Sequence, residues 1–156
     1  MSRVEDRLAE LGLTVPALAA PVAAYVPAVR SGDHVWTSGQ LPFVDGSLVA
    51  TGKVGVDVEP DAAADLARIC ALNALAAIKA EIGDLDTVQR VVKVVGYVAS
   101  APSFAGQPAV INGASELLGE VFGEAGRHAR SAVGVAVLPL DAPVEVEVVV
   151  QVATPG

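Results

Sequence analysis

Hydrophobic and polar positions change their period several times along the 156 residues of this chain. Near the start, Val4, Leu8 and Leu11 fall on one stripe of a charged segment ending at Gly12, the spacing of a short helix over residues 3–12. PALAAP then breaks any period with two prolines. The globular part is therefore expected to begin near Pro21, with residues 1–20 as a helical extension and 21–156 as one domain. Between Tyr25 and Ala50 the apolar runs AYVPAV, HVWTSG and SLVA are short. SGD, QLP and VDG separate them, turn signals at hairpin spacing that predict two or three antiparallel strands.

From Glu59 to Gly83 the period becomes helical. Leu66, Ile69, Leu72, Leu75, Ile78 and Ile82 recur at every third or fourth position, Asp61 supplies an N-cap or first-turn acid, and Gly83 a stop. VQRVVKVVGYVAS is β-branched and nearly continuous, as in a strand buried largely on both faces. A second helix is expected over AVINGASELLGEVFG, with Val110, Leu117, Leu118, Val121 and Phe122 as its apolar stripe. Two final strands, SAVGVAVL and VEVEVVVQV, are joined by PLDAP. The order β-β-(β)-α-β-α-β-β predicts an α+β layer in which both helices cover one face of one sheet.

Strand alternation sorts the last two segments into faces. In the first, Arg130, Ala132, Gly134 and Ala136 share one side, and Ser131, Val133, Val135 and Val137 the other. The valine side reads as core. The arginine side carries so little bulk that it leaves room for a ligand or a neighbouring subunit. In the second, the even-numbered valines from Val144 to Val152 share one face, while Glu145, Glu147, Val149 and Gln151 share the opposite one. An apolar face dotted with charge suits burial against another copy of the chain. Charges on such a face cost several kcal/mol to desolvate unless compensated, which leaves two readings: an interface ion pair or solvated rim, or a functional site. Were the two strands paired as a hairpin, Arg130 and Glu145 would stand about 20 Å apart and could meet only across subunits.

Composition narrows the function classes. Hydrophobic residues make up 53% of the chain, much of it Ala and Val, which excludes ordinary disorder and implies a small-residue core. No apolar run reaches the roughly 18 residues a membrane span needs, and MSRVEDRLAELG is not signal-like, so a soluble, cytoplasmic protein without a membrane partner is expected. The single cysteine, Cys70, forbids an internal disulfide and reads as a small core hydrophobe. A net charge of −8 lacks the basic footprint of a nucleic-acid binder. His34 and His128 have neither partners nor spacing for a metal site and read as turn or surface residues. Trp36 reads as a packing anchor, with cleft lining as the alternative, and Arg127 as solvated charge, with added positive potential near Arg130 as the alternative. Nucleotide-binding and serine-hydrolase motifs are absent from the sequence.

SGQLP, the ING before the second helix, and ARSAVGVAVLP followed by VEVEVVV together resemble the reactive intermediate deaminase family, also called the YjgF or RidA family. The resemblance runs from about Pro21 to Val152. It implies a chorismate-mutase-like fold with a single mixed sheet, and a homotrimer with ligand clefts between subunits. Deaminase members hydrolyse 2-imino acids and their enamine tautomers to 2-oxo acids and ammonia, without metal or organic cofactor. Carried over by position, Arg130 matches the arginine that clamps the substrate carboxylate, and a guanidinium suits that task through its two parallel donors. Glu145 matches the glutamate that holds or activates water. Tyr25 matches a cleft-lining tyrosine, Ser38 and Gly39 lie on the loop whose backbone touches the ligand, and Asn112 matches an asparagine at the cleft edge. Many deaminase members have cysteine two residues after the arginine, where this chain has Ala132. If only the backbone N–H contacts the ligand there, alanine serves as well; if the thiol takes part in the family reaction, deaminase activity is lost with it. A non-catalytic module that binds 2-oxo acids is the alternative from another class.

Overall fold

The computed structural model describes residues 2–18 and 23–154. The domain boundary expected at residue 21 lies outside the described residues. Five strands, β1 (Ala28–Ser31), β2 (His34–Thr37), β5 (Val88–Ala99), β6 (Ala129–Val135) and β7 (Val144–Val152), form one sheet in the order β1-β2-β7-β5-β6. The sheet is mixed: β5 and β6 are parallel, every other pair antiparallel. A small ribbon of β3 (Phe43–Val44) and β4 (Ser47–Leu48) turns through Asp45 and Gly46, both at positive φ, as the VDG signal predicted. No helix among the described residues is long and apolar enough to cross a membrane.

Helices α2 (Pro60–Ile82) and α3 (Gln107–Phe122) lie on one face of the sheet. Pro60 opens α2 at a position where its missing N–H costs nothing, Asp61 sits in the first turn, and Gly83 ends it. Its buried alanines, among them Ala63, Ala67, Ala71 and Ala74, bring the helix close to its neighbours. Val144, Val146, Val148, Val150 and Val152 of β7 point beneath it, all at or below 1% exposure, which completes the core.

A third helix, α1 (Arg3–Glu10), joins this layer and does not stand apart from it. Val4 and Leu8 are buried in the same core, and Leu11, Leu13 and Val15 pack against it. Asp86 accepts the backbone N–H groups of Arg3 at 2.8 Å and Val4 at 3.0 Å, while Ser2 and Glu5 form a reciprocal capping pair.

The last two strands are not neighbours: β5 lies between β6 and β7, so the hairpin that would have set Arg130 and Glu145 far apart does not form. One expectation about these strands is corrected. The valine side of β6 is not core: Val133 is 44% exposed, whereas Ala132 packs against the core beneath α3. At Ala132 and its β5 neighbour the lack of bulk admits the helix, whereas Gly134 and Ala136 on the same side are exposed. A Cβ on Gly96, the β5 partner of Ala132, would lie 2.3 Å from Ile111 Cδ1 of α3. β5 is likewise buried fully on one face only; Lys93, Val95 and Tyr97 on the other are half-buried.

Candidate functional site

β2 leaves its pairing with β7 after Trp36, opposite Val149, and the chain rejoins at Gln40, which exchanges backbone hydrogen bonds with Val146 at 2.8 and 3.0 Å. The chain from Trp36 to Gln40 has one residue more than the β7 segment it faces, so Ser38 and Gly39 bulge outward. Thr37 Oγ1 fills the gap by accepting the Val148 N–H at 3.0 Å. Ser38 is tied to the preceding segment: its Oγ donates to the Val26 carbonyl at 2.7 Å and its N–H to the Pro27 carbonyl at 2.8 Å. Tyr25, the residue before Val26, is 57% exposed.

Gly39 lies flat against Glu145. A Cβ there would be 2.6 Å from the carboxyl carbon, so any side chain would displace the acid. Burial, and then the charge of Glu147, push the Glu145 pKa above the ordinary carboxylate value. Tyr97 stands opposite Glu145 on β5 and donates its hydroxyl to Glu147 Oε1 at 3.3 Å; burial and that carboxylate push the phenol upward too. Beneath the sheet the Cys70 thiol is fully buried and held well above its usual value, first by burial and then by the Glu145 charge.

Arg130 occupies a different place. It aligns with Val94 on β5 while Glu145 aligns with Tyr97, an odd number of residues away, so the two side chains project from opposite faces of the sheet. Arg130 reaches α3, where Nη1 donates to Asn112 Oδ1 at 2.8 Å and Ser115 Oγ at 3.3 Å. No carboxylate among the described residues lies within ion-pair distance of it. Its Nε and Nη2 have no hydrogen-bond partner among the described residues and are not buried.

The chain thus holds two groups. Ser38, Gly39 and Glu145 form the first, and Tyr25 precedes Val26, whose carbonyl accepts from Ser38. Arg130, Asn112 and Ala132 form the second, at the free sheet edge made by β6. Glu147, Tyr97, Ser115 and His128 belong to these groups and were given no site role in the sequence reading. The spacing of Asn112 and Ser115 on one helix face, and of His128 and Arg130 two residues apart, was the available signal.

A sequence profile described as "YjgF/chorismate mutase-like, putative endoribonuclease" matches residues 5–152. The chain belongs to the YjgF family. Protein TCP17 of Trypanosoma cruzi is 48% identical over 150 residues, covering 96% of this chain and 94% of that protein. The crystal structure of Atu1372 from Agrobacterium tumefaciens, described as of unknown function, is also 48% identical, with a TM-score of 0.91 over 97% of this chain and 93% of that one. TdcF of Escherichia coli, solved with bound serine, is 27% identical, with a TM-score of 0.62 over 91% of this chain and 95% of its own. The YjgF match includes most of α1, in keeping with the burial of Val4 and Leu8 in the common core.

Proposed function

We propose that this YjgF-family protein hydrolyses 2-imino acids to 2-oxo acids and ammonia, in the cytoplasm, at sites formed between the three copies of a homotrimer. The observation that carries this reading is Arg130: a half-buried guanidinium with neutral oxygens on Nη1, free donors at Nε and Nη2, and no acid among the described residues to neutralise it. Such a charge suits a carboxylate brought by a ligand, gripped bidentately through Nε and Nη2. The bound serine of TdcF is a molecule of the same kind, small and carrying both a carboxylate and an amine.

Because Arg130 and Glu145 face opposite sides of one protomer's sheet, the reading requires the Arg130 group of one copy to meet the Glu145 group of the next. Contact between copies would also cover the open face, where Val29, Trp36 and Val133 are exposed. In the assembled site Glu145 takes a proton from water as the water oxygen bonds to the carbon of the protonated imine. It returns that proton to nitrogen in the carbinolamine; as the C–N bond breaks, Glu145 takes the hydroxyl proton, the hydroxyl oxygen becomes the carbonyl, and the departing ammonia carries that proton away as ammonium. A carboxyl with a raised pKa suits these transfers. Ala132 lends no side-chain chemistry, so only its backbone N–H serves the ligand.

The test is the loss of 2-iminobutyrate generated in situ. Acceleration over buffer, abolished in both Arg130→Ala and Glu145→Gln, is expected. Binding of 2-oxobutyrate without acceleration would replace catalysis with a metabolite-binding module that keeps Arg130 but has a silent water site. RNA cleavage persisting in Arg130→Ala after further purification would point instead to the endoribonuclease activity in the family description.

A further inference from the structure

The loop entering β6 carries a hydrogen-bond chain that ends on Arg130. His128 Nδ1 lies 2.6 Å from the Gly126 carbonyl and Nε2 lies 2.9 Å from Ser115 Oγ, which in turn accepts Arg130 Nη1 at 3.3 Å. The direction of each bond follows from chemistry. A carbonyl can only accept, so Nδ1 carries the hydrogen; in a neutral ring Nε2 is then an acceptor, and the Ser115 hydroxyl donates to it. That turns the serine lone pairs towards Arg130. Without the ring, the hydroxyl is free to rotate its hydrogen towards the guanidinium, which has donors and no acceptor.

The anchor of this chain is itself built. Gly126 is buried so tightly against α3 that a Cβ on it would lie 2.3 Å from the Leu118 carbonyl oxygen, which fixes the carbonyl that orients His128. Asn112 and Ser115, three residues apart on α3, present two acceptors to the same nitrogen of Arg130. With Nη1 so occupied, the edge that remains open is Nε with Nη2, one of the two edges on which a guanidinium binds a carboxylate bidentately.

We propose that Ser115 and His128 are positioning residues, which lock Arg130 through Nη1 and so present its Nε–Nη2 edge to the ligand carboxylate. The proposal rests on the reading of Arg130 as a carboxylate clamp. Neither residue touches the ligand, so the loss should fall on affinity, and in turnover on KM more than kcat.

Calorimetric titration with 2-oxobutyrate of the wild type, Arg130→Ala, Ser115→Ala, His128→Phe and His128→Gln tests it, with melting temperatures recorded alongside. Ser115→Ala and His128→Phe are expected to bind about tenfold more weakly, the scale of one hydrogen bond to a charged group, with melting temperatures close to wild type. His128→Gln, whose amide oxygen can accept the Ser115 hydroxyl where Nε2 did, should remain within about twofold of wild type on the same scale. Wild-type affinity in both Ser115→Ala and His128→Phe, with binding lost in Arg130→Ala, overturns the relay and leaves the clamp standing. Unchanged affinity in Arg130→Ala, or no binding by the wild type, removes the clamp; the relay is then judged without ligand. Nitrogen-15 NMR should show separate, slowly exchanging Nη1 and Nη2 signals for Arg130 in the wild type and in His128→Gln, merging in Ser115→Ala. Merged signals in the wild type overturn the proposal on their own.

Discussion

Glu145 is crowded on three sides, by the Gly39 backbone, by Glu147 along its own strand, and by Tyr97 across from it. Its raised pKa has a consequence for stability with a definite sign. A carboxyl that holds its proton more tightly when folded favours the fold below the ordinary carboxylate range, and that contribution disappears as pH rises through the raised value. Glu145→Gln is therefore expected to raise the melting temperature at neutral pH and to leave it unchanged in strong acid. Scanning calorimetry at the two pH values checks this; a lower melting temperature at neutral pH would mean that a cation on another copy neutralises the acid. Gly39→Ala should cost activity before it costs folding, since the new methyl displaces the carboxyl carbon. A drop in turnover of about tenfold or more, with a melting temperature near wild type, is the expected pattern. Cys70 should ignore alkylating agents in the native state and react only when denaturant exposes it, because burial keeps the thiol protonated as well as hidden.

At the scale of elements, single residues decide how helices dock. Asp86 joins α1 to the loop before β5 by accepting two otherwise unpaired N–H groups, and those backbone donors hold its carboxyl below the usual range. A depressed pKa stabilises the fold above the ordinary carboxylate value, and the gain is lost as pH falls through the lowered one. Asp86→Ala should cost about 1 kcal/mol in urea denaturation at neutral pH, a typical cap, and much less in strong acid, where the carboxylate is gone. Gly113 explains the last letter of ING. A Cβ there would lie 1.9 Å from the Ala64 carbonyl oxygen, so the motif serves two ends: Asn112 holds Arg130, and Gly113 lets α3 cross α2 closely. The helical period of α2 and the alternation of β7 were legible because one face of each is uniformly apolar. The α1 stripe was legible too, but not its destination, since eight residues of helix do not announce which surface receives them.

At the scale of the whole molecule, the two groups of site residues make a sharp forecast for the proposed trimer. Arg130→Ala and Glu145→Gln chains, each inactive alone, should complement when mixed, unfolded and refolded together. At equal input about a quarter of the sites would pair an intact arginine with an intact glutamate from the next copy, so about a quarter of wild-type activity is expected for a cyclic arrangement. No recovery would place both residues' work within one chain. The sequence by itself determined the identity and order of the main elements, the valine face of β7 and the chemistry on offer at Arg130 and Glu145. These follow from periodicity and side-chain type, which are local properties. Strand alternation sorts residues into two sides without saying which side receives the helices. Only the tertiary structure decided that α3 lies over the small residues of β6 and β5, that β5 separates Arg130 from Glu145, and that Ser115 and His128 stand behind the arginine. Those outcomes depend on close packing between segments far apart in the chain: Ile111 fits over Gly96, and Gly126 against Leu118, because no side chain occupies the space.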